Sequence, residues 1–407
     1  MLMLRALRTR SLFLLWSGQA LSAVGDEIYR VALIWLAVGL IGADAGYLAA
    51  AQSGALFLLS LVGGHWADEW DQRRTMIGVD LLRAVIVLIP VAAFYAGRVS
   101  VPVLLAVAVP VSGLGAFFDP ALQATLPALA ADSEELQSAT GLMSTTVRGA
   151  RAVGPGLVAL LGPLLPMIHF FTLDCASFAV SALSVSRLPP AAAAKPRAPR
   201  PGLRDNLAAG LRAVWSRPLL RDLMLARMVV AALWGVAFGL GLALAVNELA
   251  HGDLRAFGGV MACYGAGNVI GALSVGNIRR RRPKLIIFIG YAILGAGFAA
   301  MGACRSLPAL SAVALVAAIG GPVNDVPFYD LVQRMFPVEE LARVFRLKMA
   351  LETGALMLMT AASPALFRQF GPKAVLSACG LGILALGAAG LADHAERAGD
   401  PGYISGA

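Results

Sequence analysis

The sequence predicts an all-α integral membrane protein, with twelve transmembrane helices in two pseudo-symmetric six-helix bundles. Two features of the composition predict membrane insertion: 58% of the 407 residues are hydrophobic and only 14% are charged. No soluble domain of this length needs so much apolar surface. The third observation is a set of short motifs that recur about half a chain apart, which indicates duplication of a six-helix unit.

The first half contains six apolar runs, each long enough to cross a hydrocarbon core of about 30 Å at about 1.5 Å per residue. These predicted spans fall near residues 11–40, 44–65, 75–96, 100–118, 138–162 and 164–187. A Pro-, Ala- and Arg-rich segment, 188–218, then interrupts the apolar pattern. It predicts a cytoplasmic linker with one amphipathic helix.

The second half repeats this plan with six further predicted spans. They fall near residues 219–247, 255–276, 284–303, 308–326, 343–368 and 373–392. Asp119 at the end of span four has a counterpart in Asp325 at the end of span ten. We therefore expect an N-terminal bundle at 1–187, the linker at 188–218, and a C-terminal bundle with a short cytoplasmic tail at 219–407.

The net charge of +9 does not indicate nucleic-acid binding. Most of the Lys and Arg residues lie in loops on one side of the predicted spans. Because cytoplasmic loops of membrane proteins are enriched in Lys and Arg, this side is predicted to be the cytoplasmic one. This bias places both termini in the cytoplasm and predicts a bacterial inner membrane protein. The chain starts with a long apolar run that leads into further spans, which is not the pattern of a cleaved signal peptide.

The sequence shows no signal for a metal, a cofactor or an enzyme. The four cysteines, at 175, 263, 304 and 379, have neither metal-ligand spacing nor a disulfide pattern, and we interpret them as small core residues. No His-rich set or nucleophile motif accompanies them. The chemistry of the chain must therefore come from its intramembrane polar residues.

A charged hinge separates spans two and three, with the sequence Gly64-His-Trp-Ala-Asp68-Glu-Trp-Asp71-Gln-Arg73-Arg74. Gly64 lets two helix ends approach closely, and the basic pair holds the turn on the cytoplasmic side. The spacing resembles the signature loop between helices two and three of the major facilitator superfamily, Gly-x-x-x-Asp-(Arg)-x-(Gly)-(Arg)-Arg. Asp71 stands where that family usually has glycine.

The Trp-Asp form of this loop, followed by Asp80-Leu-Leu-Arg83-Ala, is similar to the branch that contains siderophore and macrolide exporters, such as the enterobactin exporter. The resemblance implies that Asp68 caps the start of span eleven. It also implies that Arg73 pairs with Asp119. Contacts of this kind lock the cytoplasmic side and break when a carrier opens inward.

Span five contains Gly141-x8-Ala150-x3-Gly154-Pro155, which resembles the antiporter signature of drug–proton exchangers. In that signature, small residues and a proline bend let helices pack tightly. This copy has Ala150 in place of one glycine and lacks the closing glycine pair. A Gly-rich packing seam without a role in antiport is the alternative explanation.

Span one contains the strongest candidate for proton coupling. Five polar residues share one face of its helix, namely Gln19, Ser22, Asp26, Tyr29 and Arg30. Asp26 lies near the middle of the span, and Glu27 lies about 100° around the helix. A carboxyl group in a cavity of low dielectric takes up a proton more readily than one in water, as a proton-coupled carrier needs. An Asp26–Arg30 ion pair within the helix is the alternative.

Two arginines of span five, Arg148 and Arg151, must pair with carboxylates or meet an anionic substrate, because unpaired charge is costly in a membrane. Asp26, Glu27 and Asp174 are available partners. For Arg148, nearer the cytoplasmic end, extension of the side chain to the interface is a further possibility.

In the second half, we expect a few polar and aromatic residues to face the centre and contact substrate. They are Trp234, Phe238, Tyr264, Asn268 and Glu352. The amide and carboxyl groups are the stronger candidates, because such groups avoid lipid. The aromatic residues are equally compatible with ordinary packing.

Together these features predict a secondary active transporter, a proton-coupled exporter of a small organic molecule such as a siderophore or a drug. It is expected to work as a monomer by alternating access. The mixed arginines and carboxylates favour an anionic or zwitterionic solute. A lysophospholipid flippase of related fold is the alternative, followed by a membrane sensor that transports nothing.

Overall fold

The computed structural model describes four stretches of the chain, residues 7–66, 70–189, 203–276 and 283–398. Within these stretches every regular element is a helix. Helices suit so hydrophobic a chain, because a helix satisfies its backbone hydrogen bonds within its own segment. This confirms the predicted all-helical class.

Seven helices cover the described part of the chain before residue 190. They are α1 (Arg10–Ile41), α2 (Ala45–Trp66), α3 (Gln72–Ile86), α4 (Ile89–Tyr95), α5 (Val101–Leu129), α6 (Ser133–Leu161) and α7 (His169–Ser186). The third predicted span is divided between α3 and α4. Pro90 begins the second of these helices, since it has no backbone N–H to donate to the preceding turn.

Seven more helices cover the described part after residue 202. They are α8 (Leu203–Trp215), α9 (Pro218–Val236), α10 (Leu242–Ala250), α11 (Leu254–Gly276), α12 (Pro283–Ala303), α13 (Leu307–Met335) and α14 (Val338–Ala398). A π-helical stretch, Ala237–Gly241, joins α9 and α10 into one span. Helix α8 lies in the segment where one amphipathic helix is expected.

Helix α14 is two helices joined at Gly371. That residue has φ 79° and ψ 162°, a conformation that only glycine adopts without strain. Pro372 follows, and its fixed φ suits the first turn of the next helix. The break separates the eleventh and twelfth expected spans.

Nine stretches of the described residues are long and apolar enough to cross a membrane. Two of them, Arg10–Leu59 and Arg343–Asp393, each contain two helices that run in sequence. Helix α6 is a further helix of transmembrane length, and it carries arginines that lower its hydropathy. Together these are the twelve spans that the sequence predicts.

By its internal contacts the chain divides into two compact units. The first is Met1–Leu203 with Asp253–Ala262, and the second is Arg204–Gly252 with Cys263–Ala407. The bundle and linker boundaries expected from the sequence remain a prediction.

The related halves are visible in α5 and α13, which are both 29 residues long. Each begins after a serine in extended conformation, Ser100 or Ser306, and has a proline in its first turn. Asp119 and Asp325 lie at the same distance from these helix starts. The equivalence supports the duplication inferred from the sequence.

Residues at the start of α6 form a reciprocal cap. The Asp132 carboxylate accepts a hydrogen bond from the backbone N–H of Glu135 at 2.7 Å, and the Glu135 carboxylate accepts one from the N–H of Ala131 at 2.7 Å. Thr9, which precedes α1, also donates its hydroxyl proton to Glu135. The cap therefore ties the beginning of α6 to the beginning of α1.

Helices α12 and α14 pack closely at Gly380, which generates a test of the fold. A Cβ atom at Gly380 would lie 2.6 Å from the backbone carbon of Phe298, so a helix backbone would have to move. We expect Gly380→Ala to lower the free energy of unfolding by about 1–3 kcal/mol, measured by thermal unfolding in detergent. Gly259→Ala is the control, because no atom lies within 4 Å of its Cβ position. Equal destabilisation by both changes would contradict the packing.

Candidate functional site

A cluster of ionisable side chains lies inside the first unit, on helices α1, α3, α5 and α7. Arg83 interacts electrostatically with each of its four carboxyl groups. We call this group the Arg83 cluster, and its members are Asp26, Tyr29, Asp80, Arg83, Asp119 and Asp174. The guanidinium group also lies 5.5 Å from the ring centroids of both Phe118 and Phe178.

Several polar atoms of the Arg83 cluster are buried without a hydrogen-bond partner among the described residues. Asp80 and Asp174 have no exposed surface. Both carboxylate oxygens of Asp80 and one of Asp174 lack a partner, as do the Tyr29 hydroxyl and the Nε of Arg83. Burying a polar group without partners costs free energy, so these atoms are candidates for a functional role.

Neighbouring side chains of α1 and α7 hold the cluster in place. The Gln19 amide donates a hydrogen bond to the Ser181 hydroxyl at 2.9 Å, and Ser181 lies beside Asp80. A Cβ atom at Gly25 would lie 2.7 Å from a carboxylate oxygen of Asp174. The absence of a side chain at Gly25 therefore lets α1 approach the buried carboxyl group.

Glu27 differs from Asp26, because it is an ion-paired residue. Its buried carboxylate lies 2.6 Å from an Arg30 nitrogen and 3.9 Å from the Nε of Arg151. The intrahelical pair of span one is therefore Glu27–Arg30, where the sequence alternative was Asp26–Arg30. A spacing of three residues on a helix brings side chains together as well as a spacing of four.

The antiporter-like sequence of α6 lies against this pair. A Cβ atom at Gly154 would lie 2.5 Å from the Cβ of Glu27, so glycine is what allows α1 and α6 to touch there. Pro155 is buried, and its carbonyl oxygen would lie 2.9 Å from a Cβ at Gly258. The sequence Gly154-Pro155 thus forms a tight helix contact within the first unit.

The signature-like hinge is only partly described. Gly64 lies in α2, and Asp68 lies outside the described residues. The Asp71 carboxylate caps α3 by accepting a hydrogen bond from the N–H of Arg74 at 2.8 Å, and Arg74 itself is exposed. An aspartate at this position therefore has a local structural function.

Arg73 does not pair with Asp119, contrary to the expectation from the resemblance. Its guanidinium donates hydrogen bonds to the carbonyl oxygens of Val185, at 3.2 Å, and Ser186. The last carbonyl groups of a helix lack partners within the helix and carry partial negative charge, so the end of α7 satisfies Arg73. Arg83 is the basic group that acts on Asp119.

The aromatic candidates of the second unit form one group. The Trp234 indole donates a hydrogen bond to the Tyr264 hydroxyl at 2.8 Å, and its ring stacks on Phe238 with centroids 4.9 Å apart. The Asn268 amide donates to the Tyr264 carbonyl oxygen at 3.3 Å. The structure therefore brings together Trp234, Tyr264 and Asn268, and places Glu352 in a different network.

Glu352 belongs to a network of buried ion pairs centred on Arg227. The guanidinium contacts the Glu352 carboxylate at 2.7 Å and the Asp325 carboxylate at 2.9 Å, and donates a hydrogen bond to the Asn324 side chain at 3.2 Å. Lys348 binds the other Glu352 oxygen at 2.7 Å. Two cations thus balance two anions within the second unit.

Sequence reasoning missed Arg227 and Lys348, and used Asp80 and Arg83 only as part of a resemblance. Arg227 and Lys348 both lie near the start of a span, where basic residues usually reach towards water. A signal was available, because the basic residue Lys348 lies four positions before Glu352. Arg227 is buried because α9, α13 and α14 pack together around it, and the sequence pattern of a single helix does not predict that packing.

No group of three or more His, Cys, Asp or Glu side chains in the described residues is placed to hold a metal ion. The carboxyl groups of the Arg83 cluster all interact with one guanidinium group. Helical membrane proteins with such buried acidic and basic groups are typically transporters.

Comparison with known proteins identifies the class. Residues 15–355 match the Major Facilitator Superfamily, and the chain belongs to this family of membrane transporters, whose members are not enzymes. The fold is shared with the nucleoside transporter NupG, whose crystal structure aligns with a TM-score of 0.75 at 14% identity, covering 94% of this chain and 99% of that one.

Two curated relatives are multidrug efflux pumps. The chain is 28% identical over 334 residues to the multidrug efflux pump Tap of Mycobacterium tuberculosis, covering 79% of this chain and 78% of the pump. It is 27% identical over 325 residues to Tap of Mycolicibacterium fortuitum, covering 77% and 78%. The chain is thus a secondary transporter distantly related to drug efflux pumps.

The Arg227 network predicts a large effect on stability. Arg227→Leu leaves the partly exposed Asp325 carboxylate without a cation and Glu352 with Lys348 alone. We expect the free energy of unfolding to fall by about 2–3 kcal/mol. Arg221→Leu on the same helix is the control, because its pair with Asp222 is solvent-exposed and contributes at most about 1 kcal/mol. Denaturant unfolding in detergent measures both. Equal, small effects would show that the network is not a stabilising contact.

Proposed function

We propose that this chain is a proton-coupled exporter of small, drug-like organic molecules in a bacterial inner membrane, with both termini cytoplasmic. The observation that supports it most is the Arg83 cluster, in which four carboxyl groups share one guanidinium inside a membrane-spanning unit. Of the siderophore or drug expected from the sequence, the similarity to Tap favours a drug. The chain would act as a monomer by alternating access.

The charge balance of the cluster favours proton binding. One guanidinium group can neutralise one carboxylate, and an ionised residue in a span costs about 2.5–3.5 kcal/mol on insertion scales. Arg30 also acts on Asp26, so the buried acids Asp80 and Asp174 are the groups with no second cation. A proton that leaves one group makes it a competitor for Arg83, which couples the protonation states of the whole cluster.

Within this proposal, Asp26 is the carboxyl group that exchanges protons with water. Asp80 and Asp174 are fully buried and Asp119 is exposed. Asp26 is partly buried, so it combines access to water with a setting in the span in which Arg83 acts on it. Glu27 is less suitable than the sequence suggested, because its carboxylate already lies 2.6 Å from an Arg30 nitrogen and 3.9 Å from the Nε of Arg151. The buried Tyr29 hydroxyl has no hydrogen-bond partner among the described residues.

The gating and substrate-binding assignments from the sequence also enter as proposals. Gly64, Asp68, Arg73, Arg74 and Asp119 would control opening of the cytoplasmic side, with Arg73 acting through the end of α7. Gly154 and Pro155 would keep α6 against α1. The residues proposed to contact substrate are Gln19, Tyr29, Arg30, Arg151, Asp174, Trp234, Tyr264, Asn268 and Glu352.

Asp26→Asn is the test of this proposal. The amide keeps the size of the side chain but cannot release a proton, so we expect uptake of a fluorescent drug into proteoliposomes, driven by a pH gradient, to fall at least about tenfold. Exchange of labelled for unlabelled drug without a gradient should persist, because it needs no net proton movement. Asp222→Asn is the control at an exposed surface position.

Two outcomes would overturn the proposal. Full gradient-driven transport by Asp26→Asn would remove Asp26 from proton coupling. Movement of a labelled lysophospholipid between leaflets, indifferent to pH and with no drug transport, would favour the flippase instead.

A further inference from the structure

Helix α8 has two different faces, and one of them packs on the protein. Gly210 and Val214, four residues apart, form this inner face. A Cβ atom at Gly210 would lie 2.9 Å from the carbonyl oxygen of Arg343, and Val214 has no exposed surface. The inner face therefore fixes α8 to the beginning of α14.

The outer face of α8 is exposed and partly apolar. Leu211 is 42% exposed and Trp215 is 43% exposed. They are also four residues apart, so they share a face that lies about 100° around the helix from the inner one. Arg212 lies beside them and is exposed as well. Exposed Leu and Trp bordered by arginine are typical of a helix that lies in the interface of a membrane.

The position of α8 in the chain agrees with this pattern. Pro218, three residues after Trp215, begins the apolar stretch Pro218–Ala250, which is long enough to cross a membrane. Three residues extend over at most about 11 Å, so the end of α8 stays close to the surface at which this span begins. Tryptophan is enriched at this depth, where its ring meets both acyl chains and headgroups.

Positive charge surrounds the outer face without matching carboxylates. The Arg212 guanidinium donates a hydrogen bond to a backbone carbonyl oxygen of its own helix, and Arg217 lies 4.0 Å from the ring centroid of Phe336. In the described part of the chain neither guanidinium group is in an ion pair, whereas Arg221 pairs with Asp222. Arg212 and Arg217 can therefore bind an anionic ligand without giving up a carboxylate.

The ligand that fits this surface carries an anionic group next to an apolar body. Guanidinium groups bind phosphate through paired N–H donors. A free phosphate ester would use the two arginines and leave Leu211 and Trp215 in water. A phospholipid uses both parts of the surface, and it is already present at the depth where α8 lies.

We propose that the outer face of α8 is a binding site for an anionic phospholipid, with Arg212 and Arg217 on the headgroup phosphate and Leu211 and Trp215 against the acyl chains. The site is separate from the proposed export function, because none of its residues belongs to the Arg83 cluster. A lipid that binds the folded protein stabilises it, so the site makes thermal stability depend on lipid charge.

The test measures binding of phosphatidylglycerol to the purified full-length protein in detergent by native mass spectrometry. Phosphatidylcholine with the same acyl chains is the matched probe without net charge, and we expect the parent protein to bind it at least about tenfold more weakly. Arg212→Gln should weaken phosphatidylglycerol binding about fivefold, and Arg212→Gln with Arg217→Gln about twenty-fivefold, because each arginine near an anionic headgroup contributes a similar factor. Binding of phosphatidylcholine should not change.

Control variants separate the site from general charge and from packing. Arg98→Gln with Arg305→Gln removes two exposed arginines that lie outside α8, and it should leave the lipid preference intact. Arg217→Lys keeps the charge beside Phe336 and should also retain the preference. Thermal unfolding of each variant identifies any that fail to fold.

A second measurement locates the bound lipid. Brominated acyl chains quench the fluorescence of nearby tryptophan, and the part of the quenching that is lost in Trp215→Phe comes from Trp215. We expect this part to be larger with brominated phosphatidylglycerol than with brominated phosphatidylcholine. It should disappear in Arg212→Gln with Arg217→Gln.

Equal affinity of the parent protein for the two lipids, or an equal loss in the control variant, would refute the proposal. Soluble glycerophosphoglycerol that binds as tightly as the whole lipid would also refute it, since the site would then be one for a free phosphate ester. The proposed function fails separately, because these measurements need no pH gradient. Tight lipid binding without gradient-driven transport would retain the lipid site and reject the proton-coupled exporter.

Discussion

The cost of placing charge in a membrane is the constraint on which this structure depends. Each ionisable residue in a span costs about 2.5–3.5 kcal/mol unless another group or a proton neutralises it. The two units meet this cost differently. In the second, Arg227 and Lys348 balance two carboxylates. In the first, Arg83 acts on four acids, and Arg30 acts on one of them, Asp26.

Small residues make these arrangements possible. Gly25 and Gly154 remove the side chains that would keep α1 away from α7 and α6, so polar groups of different helices can be neighbours. The close approach of these helix backbones therefore brings polar groups together and also improves packing. All six buried polar atoms without a partner, among the described residues, belong to the Arg83 cluster or to Tyr291, which interacts electrostatically with Arg227. Buried polar atoms without a hydrogen-bond partner, which are rare in folded proteins, are thus concentrated at the candidate sites.

Resemblance to a family was reliable for the fold and less so for individual contacts. The hinge motif led to the right superfamily, but its Arg73 contacts the end of α7 and not Asp119. The exporter branch suggested a siderophore or a drug, and the curated relatives are multidrug efflux pumps. A sequence motif of this kind indicates the fold. The partners of a long side chain depend on which acceptor the surrounding helices bring within reach.

The sequence by itself determined the helical class and the twelve spans, and it singled out Asp26 and Glu352 as candidates, because apolar length and isolated charges are local properties. It did not determine which charges pair. Glu27 and Arg30 could be related by their spacing, but Arg227 meets Asp325 and Glu352 only because α9, α13 and α14 pack together. Likewise, Asp80 is distant in sequence from Asp174, and only the packing of α3 against α7 buries both. Tertiary structure decides such pairings, because the sequence periodicity of one helix does not predict its distance from other helices or which of its residues they bury.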